Sequence, residues 1–439
     1  MAPNHDDEMN MRRQRREEMR RKQEQEQKRL RNGLIIGAVL LILLGVRLYT
    51  LIQDSQSKTI QPDAVTVETA PETKEPTETV SALQALQSPT TIHIKAAGDL
   101  NITNSVVSAG LAATGYDYSR AFMDVAAVLS DADLTVLNFE GNVCGEPYGS
   151  ATTSAPKEIL DGLRQAGVDL VQTANSRSIQ NGLIGLTATL SAIRQSGLEP
   201  VGSFSSPAEF RQTKGYTICD AQGIKVAFVA FTKGFLGMGM PTGNEDCVNL
   251  LYKDYATTYD EVDKEGINAL LKAVAAEEPD ITIALVHWGS ENNESVSGTQ
   301  KSIVNLMKKG GVDVILGTHP HTLQYIEHDP LKGTLVAYSL GDFFGDGIEG
   351  GTNYSIILDM EITKDPVAGT TKVTNYTYTP IYTLKEDECD GYRRVVRIEQ
   401  AMIAYNTNFV DKVSDTAYAG MEKAMTRIPE RLTPPVSED

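Results

Sequence analysis

The sequence predicts an α/β domain whose sheet surfaces are covered by helices, preceded by one transmembrane helix. Three observations predict it. Between Ile92 and Leu316, short apolar runs alternate with stretches whose apolar residues recur every three or four positions. Beyond Leu323 the alternation gives way to strands in succession. Near the N-terminus, one apolar run reaches the about 20 residues a helix needs to span a bilayer. Strand–helix alternation places helices against sheet faces, because each element must bury its apolar side on another.

The chain opens with a basic tail over residues 1–32, as in MRRQRREEMRRK. Gly33–Ile52, GLIIGAVLLILLGVRLYTLI, is apolar apart from Arg47 and predicts an uncleaved anchor, with no small-residue cleavage site behind it. Arg47 near the outer end is placed to snorkel towards the headgroups. The basic flank orients the anchor with the tail in the cytoplasm and everything after residue 52 outside. An amphipathic helix on anionic lipid is the other reading of the basic run, but the orientation signal alone explains it. Residues 53–90 are polar, with PDAVTVETAPETKEPTETV at their centre. A Thr/Glu/Pro-rich segment lacks the apolar surface to offset ordering, so it predicts a disordered tether.

The formal net charge is −18, from 40 Lys and Arg against 58 Asp and Glu. With the basic residues concentrated in the tail, the remainder is still more acidic. That excludes nucleic acid as a partner, which needs a concentrated basic face. Cys144, Cys219, Cys247 and Cys389 all fall in the exterior part. An oxidising exterior permits disulfides, with three full pairings open, while buried thiols are the alternative. There is no CxxC, which argues against a zinc ribbon.

The exterior domain is expected over residues 91–400, with a helical extension and tail over 401–439. Ile92–Gly98 alternates and predicts a strand stopping at Gly98-Asp99. Ala121–Leu129 reads as a helix, and Leu134–Phe139 as a buried strand ending at Glu140. Ile159–Ala166 is helical, and Val168–Thr173 is a strand ending at Asn175. Leu183–Gln195 is helical, Lys225–Phe231 a strand, and Tyr259–Ala276 a helix. The strand Ile281–Val286 ends at His287. Ile303–Lys309 is helical, and Val312–Leu316 runs towards His319. Leu335–Ser339, Ser355–Ile362 and Val373–Tyr382 are strands, and Ile398–Met425 is a helical tail that closes the fold.

Asp99, Glu140, Asn175, His287, His319 and His321 thus each follow an apolar strand. In open α/β sheets the carboxyl ends of strands converge on a crevice where ligands bind. Carboxylate, amide and imidazole together make a coherent metal-ligand set. The chain has only six histidines and sets two of them either side of Pro320. A residue before proline is pushed towards an extended conformation, and residues two apart on an extended segment face the same side. Both imidazoles are therefore expected to reach one cavity, against the plainer reading of a loop making surface hydrogen bonds. His287 ends a run too apolar for the surface, where a satisfied core histidine is the ordinary reading. Trp288 is read either as core packing or as a wall of the crevice. His93 and His328 are expected at the periphery.

These residues sit in AAGDLNI, LTVLNFEG, DLVQTANSRSIQNGLIGLTATLSAI, LVHWGSE, GVDVILGTHPHTLQYIE and VAYSLGDF. In this order the segments resemble the CapA family, linked to poly-γ-glutamate capsule synthesis, with a fold similar to the metallo-dependent phosphatases. The resemblance implies a metallophosphatase-like sandwich of two β-sheets flanked by helices, with a divalent-metal site at the strand ends. It implies ligand roles for Asp99, Glu140, His287, His319 and His321, with Glu140 suited to bridge two cations, and Mn²⁺, Zn²⁺ or Fe²⁺ as the metal. In that mechanism paired cations lower the pKa of a bound water.

The chain departs from the family at one point. The family usually reads Ala-Asn-Asn-His followed by an Asp; here Ala174-Asn175-Ser176-Arg177 stands, and then Gln180. The family's histidine is the implied proton carrier and the amide before it an implied ligand. Arg177 stays protonated and cannot serve as a general acid or base. It is read as an anion clamp, since its planar fork matches carboxylate or phosphate, or as half of an ion pair with Asp342 or Glu140. Asp342 stands where the family carries Asn, and it could restore a ligand or pair with Arg177; Asn175 and Asp342 therefore extend the candidate site. The implied function is a membrane-anchored extracellular protein serving the synthesis, export or trimming of an anionic envelope polymer, as a metal-dependent hydrolase. Its expected partners are that polymer or its membrane synthase. A catalytically silent scaffold of the same fold is the alternative, and a general phosphoesterase a third reading.

Overall fold

The computed structural model describes residues 88–407 and 413–435. The tail, the anchor and nearly all of the tether expected from the sequence lie outside them. Among the described residues, no helix is long and apolar enough to cross a membrane.

The chain builds half of one sheet, then a second sheet, then returns to finish the first. β1 (Thr90–Asn101), β2 (Leu134–Glu140), β3 (Leu170–Gln172) and β4 (Glu199–Val201) run parallel. The second sheet follows as β5 (Thr217–Ala221), β6 (Ile224–Thr232), β7 (Ile281–His287), β8 (Val314–Thr318), β9 (Leu323–Asp329) and β10 (Thr334–Leu340). The return comprises β11 (Asp342–Phe344), β12 (Tyr354–Asp365), β13 (Thr370–Leu384) and β14 (Arg394–Arg397). The first sheet has eight strands ordered β14-β13-β12-β1-β2-β3-β4, with β11 paired to β1; the second has six, ordered β5-β6-β7-β8-β10-β9. β6, β7, β8 and β10 are mutually parallel.

The period of two along each strand divides the core. On β6, Val226, Phe228 and Ala230 face the first sheet, meeting Ile94, Val136 and Leu170 across the sandwich. Ala227, Val229 and Phe231 face outward, beneath helices Lys264–Ala275 and Gly298–Lys309. Outside the first sheet, Leu137, Phe139 and Val171 are covered by helices that include Ser119–Leu129 and Glu158–Gln165. Strands buried on both faces read as continuous apolar runs, which is why ITIALVH is buried throughout. Each fully buried Ile, Leu or Phe contributes about 1.5–3 kcal/mol.

Several elements differ from expectation. β1 does not stop at Gly98 but carries Asp99 within it. Helix Lys264–Ala275 starts five residues later than expected, because Asp263 caps it by accepting from Gly266 N at 3.0 Å. Helix Gly298–Lys309 starts five residues earlier, on a capping box formed by Ser297 and Gln300. The helical tail is two elements, Ile398–Thr407 and Asp415–Leu432. In the second, Ala417, Met421, Ala424, Ile428 and Leu432 recur at helical spacing and join the central core. The four cysteines are free, so no disulfide forms. Trp288 is core: its ring stacks on Tyr338 and its Nε1 donates to Tyr338 O at 2.9 Å.

Candidate metal centre

The first sheet supplies the acids, and a close backbone crossing sets them. Asp99 N donates to Gly341 O at 2.9 Å, and β11 pairs with β1 so that Asp99 and Asp342 stand in register. A Cβ on Gly98 would lie 1.7 Å from Gly341 O, so only glycine permits the crossing. The register of β1 on β2 shifts between Ala96 and Asp99. Asp99 therefore sits at an irregularity inside the strand, a common device for re-aiming a side chain. An amide relay fixes it. Asn175 Nδ2 donates to Asn138 Oδ1 at 3.0 Å, and Asn138 Nδ2 donates to Asp99 Oδ1 at 2.5 Å. The Asn175 Oδ1 atom accepts from Arg177 N at 3.0 Å.

The second sheet supplies the imidazoles. His319 and His321 are not extended as the proline between them suggested. Their φ angles are 91° and 58°, a region uncommon outside glycine. Tertiary bonds hold the turn: His319 N donates to Asp99 Oδ2 at 3.0 Å, and Asn292 N to Pro320 O at 2.9 Å. Both rings nonetheless reach the same place, with centroids 6.1 Å apart. Such strained backbone persists only where the surroundings over-determine it.

His287, fully buried at the end of β7, lies with its ring centroid 4.5 Å from that of His319. Its Nδ1 is 3.1 Å from Thr318 Oγ1, whose hydroxyl donates in turn to Gln172 Oε1 at 3.5 Å. The Asn138 amide nitrogen lies 3.5 Å from the same Nδ1. Its Nε2 faces Ser176 Oγ at 3.0 Å and Glu140 Oε1 at 3.5 Å. His321 mirrors this arrangement. Its Nδ1 pairs with Asp342 Oδ1 at 2.7 Å, while its Nε2 lies 3.9 Å from Glu140 Oε2. A carboxylate or hydroxyl behind the ring is how ligating histidines are usually oriented.

The electrostatics diverge across the site. Burial and the neighbouring His287 take the His319 imidazole well below its ordinary range. Burial would also lower His321, but Asp342, Glu140 and Asp99 outweigh it and hold that imidazole well above. Burial raises Asp99 and pushes the Asp342 carboxyl up to about 7, against the pull of His321. Burial opposes ionisation of Glu140 too, but His287, His321 and His319 overcome it and keep the carboxylate below the usual range.

The residues fit a divalent cation. Glu140 Oε2 and His319 Nδ1 are buried without any hydrogen-bond partner, and unsatisfied buried atoms in a cluster of ligating groups are what a cation would satisfy. Three groups have ligand atoms within 4.8 Å of one another: Glu140 with His287 and His319, Asp99 with Glu140 and His321, and Glu291 with His319 and His321. Glu140 is shared by the first two. Mixed carboxylate and imidazole donors suit Mn²⁺, Fe²⁺ and Zn²⁺. The structure thus brings all seven sequence-predicted residues to one end of the sandwich. Asp99, Glu140 and the histidines form the groups, Asp342 orients His321, and the Asn175 amide is engaged in the relay.

Arg177 forms no ion pair with Asp342 or Glu140. Both acids turn to histidines instead, and the buried Arg177 Nε has no partner. Sequence reasoning missed Asn138, Gln172, Thr318 and Glu291. Asn138 left a signal, since it interrupts the apolar run LTVLNFE two positions before Glu140 and so shares its face. Glu291, exposed at the mouth, follows His287 by four residues in HWGSE; its loop is braced by Glu294, which pairs with Arg431 of the last helix.

A family model, Bacterial capsule synthesis protein PGA_cap, matches residues 93–346, from β1 through β11. The capsule biosynthesis protein CapA of Bacillus anthracis is 28% identical over 245 residues, which cover 53% of this chain and 54% of the relative. The PGA biosynthesis protein CapA of Bacillus subtilis is 26% identical over 237 residues, 51% of this chain and 56% of the relative. The chain therefore spans about half the length of the curated relatives it matches. A solved structure described as a novel phosphatase from Mycoplasma pneumoniae is 14% identical, with TM-score 0.42, covering 67% of this chain and 95% of the other. The family match encloses Asp99, Glu140, His287, His319, His321 and Asp342 and extends over more than half of the sequence, and on that ground the chain belongs to the bacterial capsule synthesis family PGA_cap.

Proposed function

We propose that this chain is a membrane-anchored exterior protein that holds divalent metal through Asp99, Glu140, His287, His319 and His321 and hydrolyses an anionic envelope polymer, poly-γ-glutamate. The observation that carries the reading is the pair of buried ligand atoms without a hydrogen-bond partner, Glu140 Oε2 and His319 Nδ1. When bound, the cation would supply Lewis-acid activation of water and of the bond under attack. The chain's own residues do the rest. Thr318 and Asp342 engage the Nδ1 atoms of His287 and His321, so that their Nε2 atoms face Glu140. The amide relay from Asn175 through Asn138 fixes Asp99. Arg177 cannot move a proton and is assigned the role of gripping an anionic group of the substrate. The apolar segment 33–52 is the anchor, with the tail inside and the domain outside; the polymer or its membrane synthase is the partner. The names of the Bacillus relatives support the capsule context.

The test is the metal content of the full-length protein in detergent, beside a His319→Ala/His321→Ala variant. Near-stoichiometric Mn²⁺ or Zn²⁺ that vanishes in the variant supports the reading. No bound metal after incubation with either ion overturns it.

A second reading, a catalytically silent scaffold, is favoured by Ser176-Arg177, which leaves the site without the implied proton carrier. Turnover of poly-γ-glutamate or of a chromogenic phosphodiester by the metal-loaded protein would exclude it. A Ser176→Asn/Arg177→His variant that gains about 10²-fold in rate, the lower bound for a positioned general acid or base, would show what the departure removed.

A further inference from the structure

Lys233 lies beside this cluster and has no role in the reading above. It follows β6 directly, and its backbone N donates to His287 O at 2.9 Å. Its ammonium donates to Gly289 O at 2.7 Å and stands 4.7 Å from the centre of the Tyr259 ring. Among the described residues it forms no ion pair. Glu291 acts on it only as a nearby charge, and burial pulls the ammonium below its ordinary range. In turn, its charge is one of those that depress His319. Lys233 is thus a part-buried cation at the mouth of the site, held by a carbonyl and a ring face. Both are weak substitutes for an acid, and removing an ammonium from water without one is costly. An ammonium has three N–H donors; Gly289 and the Tyr259 face account for two.

The neighbouring loop adds a second cation. A Cβ on Gly202 of the strand-end segment would meet the side chains of Ala174 and Ala230 at 2.7 and 2.6 Å. The chain segments leading to Arg177 and Lys233 therefore leave the two sheets side by side. Ser176, adjoining Arg177, touches the ring of His287, and Lys233 touches its backbone.

We propose that Lys233 selects the substrate, its ammonium pairing with an oxyanion, carboxylate or phosphate, that adjoins the bond presented to the cluster. The inference rests on the metal-site reading and adds to it the charge of the substrate and the group that recognises it. Lys233 is a positioning residue rather than a catalytic one.

The test uses the full-length protein, first assayed for Mn²⁺ uptake, then titrated calorimetrically with inorganic phosphate and separately with γ-linked triglutamate. Lys233→Met should take up Mn²⁺ as the parent does and bind at least one of these anions about tenfold more weakly, the loss expected for one charge-assisted hydrogen bond. Lys233→Arg should restore most of that affinity, which a lysine that merely braced Gly289 would not predict. Weakening confined to phosphate assigns a phosphate group; weakening confined to triglutamate assigns a carboxylate. Lys233→Gln replaces the methionine variant if that one fails to fold. Equal affinity in parent and variant, or no anion binding by the parent, overturns the proposal. Failure of the parent to take up Mn²⁺ sinks the metal reading alone, because the same titrations on metal-free protein still decide whether Lys233 grips the anion.

Discussion

The two sides of the centre are made of opposite chemistry delivered by opposite sheets. From the first sheet come Asp99 and Asp342, set in register by the backbone crossing, and Glu140 at the end of β2, with an amide relay holding Asp99. From the second come His287 and His319, with Lys233 beside His287. His321 belongs to the second sheet by sequence but to the first by partnership, through Asp342. Two histidines separated by one proline are thus driven apart electrostatically, His321 upward by its acids and His319 downward by burial. The neighbour, not the motif, sets what each imidazole does. Glu140 is the seam, lying within reach of both.

The comparison breaks most severely at Gly98. Alanine there must displace the Gly341 carbonyl, shifting Asp342 away from Asp99 and costing about 3 kcal/mol, as overpacking of a tight core does. Urea unfolding should show that loss with an unchanged m-value. A Gly98→Ala protein as stable as its parent would mean that the crossing is not what fixes the acids.

Glu140→Gln tests the seam. A ligand present at a hundredfold excess over its Kd stabilises a protein by about 2.7 kcal/mol. If one carboxylate serves both groups, Mn²⁺-dependent stabilisation should vanish completely in this variant. Survival of half the metal content would instead make the two sides independent.

Much of this was legible in advance, and the exceptions have physical causes. β6, β7 and β8 announce themselves as continuous apolar runs because both faces are buried. β4 and β11 have three residues each, too few to display a period. The apolar spacing from Tyr259 to Val262 mimics a helix but serves packing instead; Tyr259 has φ 58° and offers its ring to Lys233. For His319, a local rule about proline lost to a backbone N–H that donates to a carboxylate 220 positions away. The ligand candidates were readable because strand ends converge. Their supports were not, since Gln172 and Thr318 look like ordinary polar residues at strand ends. Lys233 carried no signal, because a lone lysine after a strand is normally solvent-facing.

Asp342→Asn sharpens the contrast between the sides. It removes the charge behind His321 and leaves His287, backed by Thr318, untouched. Loss of such a supporting carboxylate typically costs 10–100-fold in metal affinity, so a reduction of about that size is expected for one Mn²⁺ equivalent and none for the other. Calorimetric titration would resolve the two steps. Equal weakening of both would mean that Asp342 acts through the field of the whole cluster rather than through one ring.

The smallest effect, and the most informative about the departure from the family pattern, belongs to Ser176→Ala. The hydroxyl lies 3.0 Å from His287 Nε2, the atom that also faces Glu140. If its role is to satisfy that nitrogen when no cation is present, its removal destabilises the metal-free protein by about 1 kcal/mol, the net worth of one buried hydrogen bond. Mn²⁺ affinity would then hold steady or rise, since the cation no longer competes with the hydroxyl for the same lone pair. If Ser176 has instead taken over the ligand position of the missing amide, the metal-free stability hardly changes and the affinity falls. The two roles predict opposite signs for the same titration. The result therefore tells whether Ser176 is a stand-in for the metal or a ligand to it.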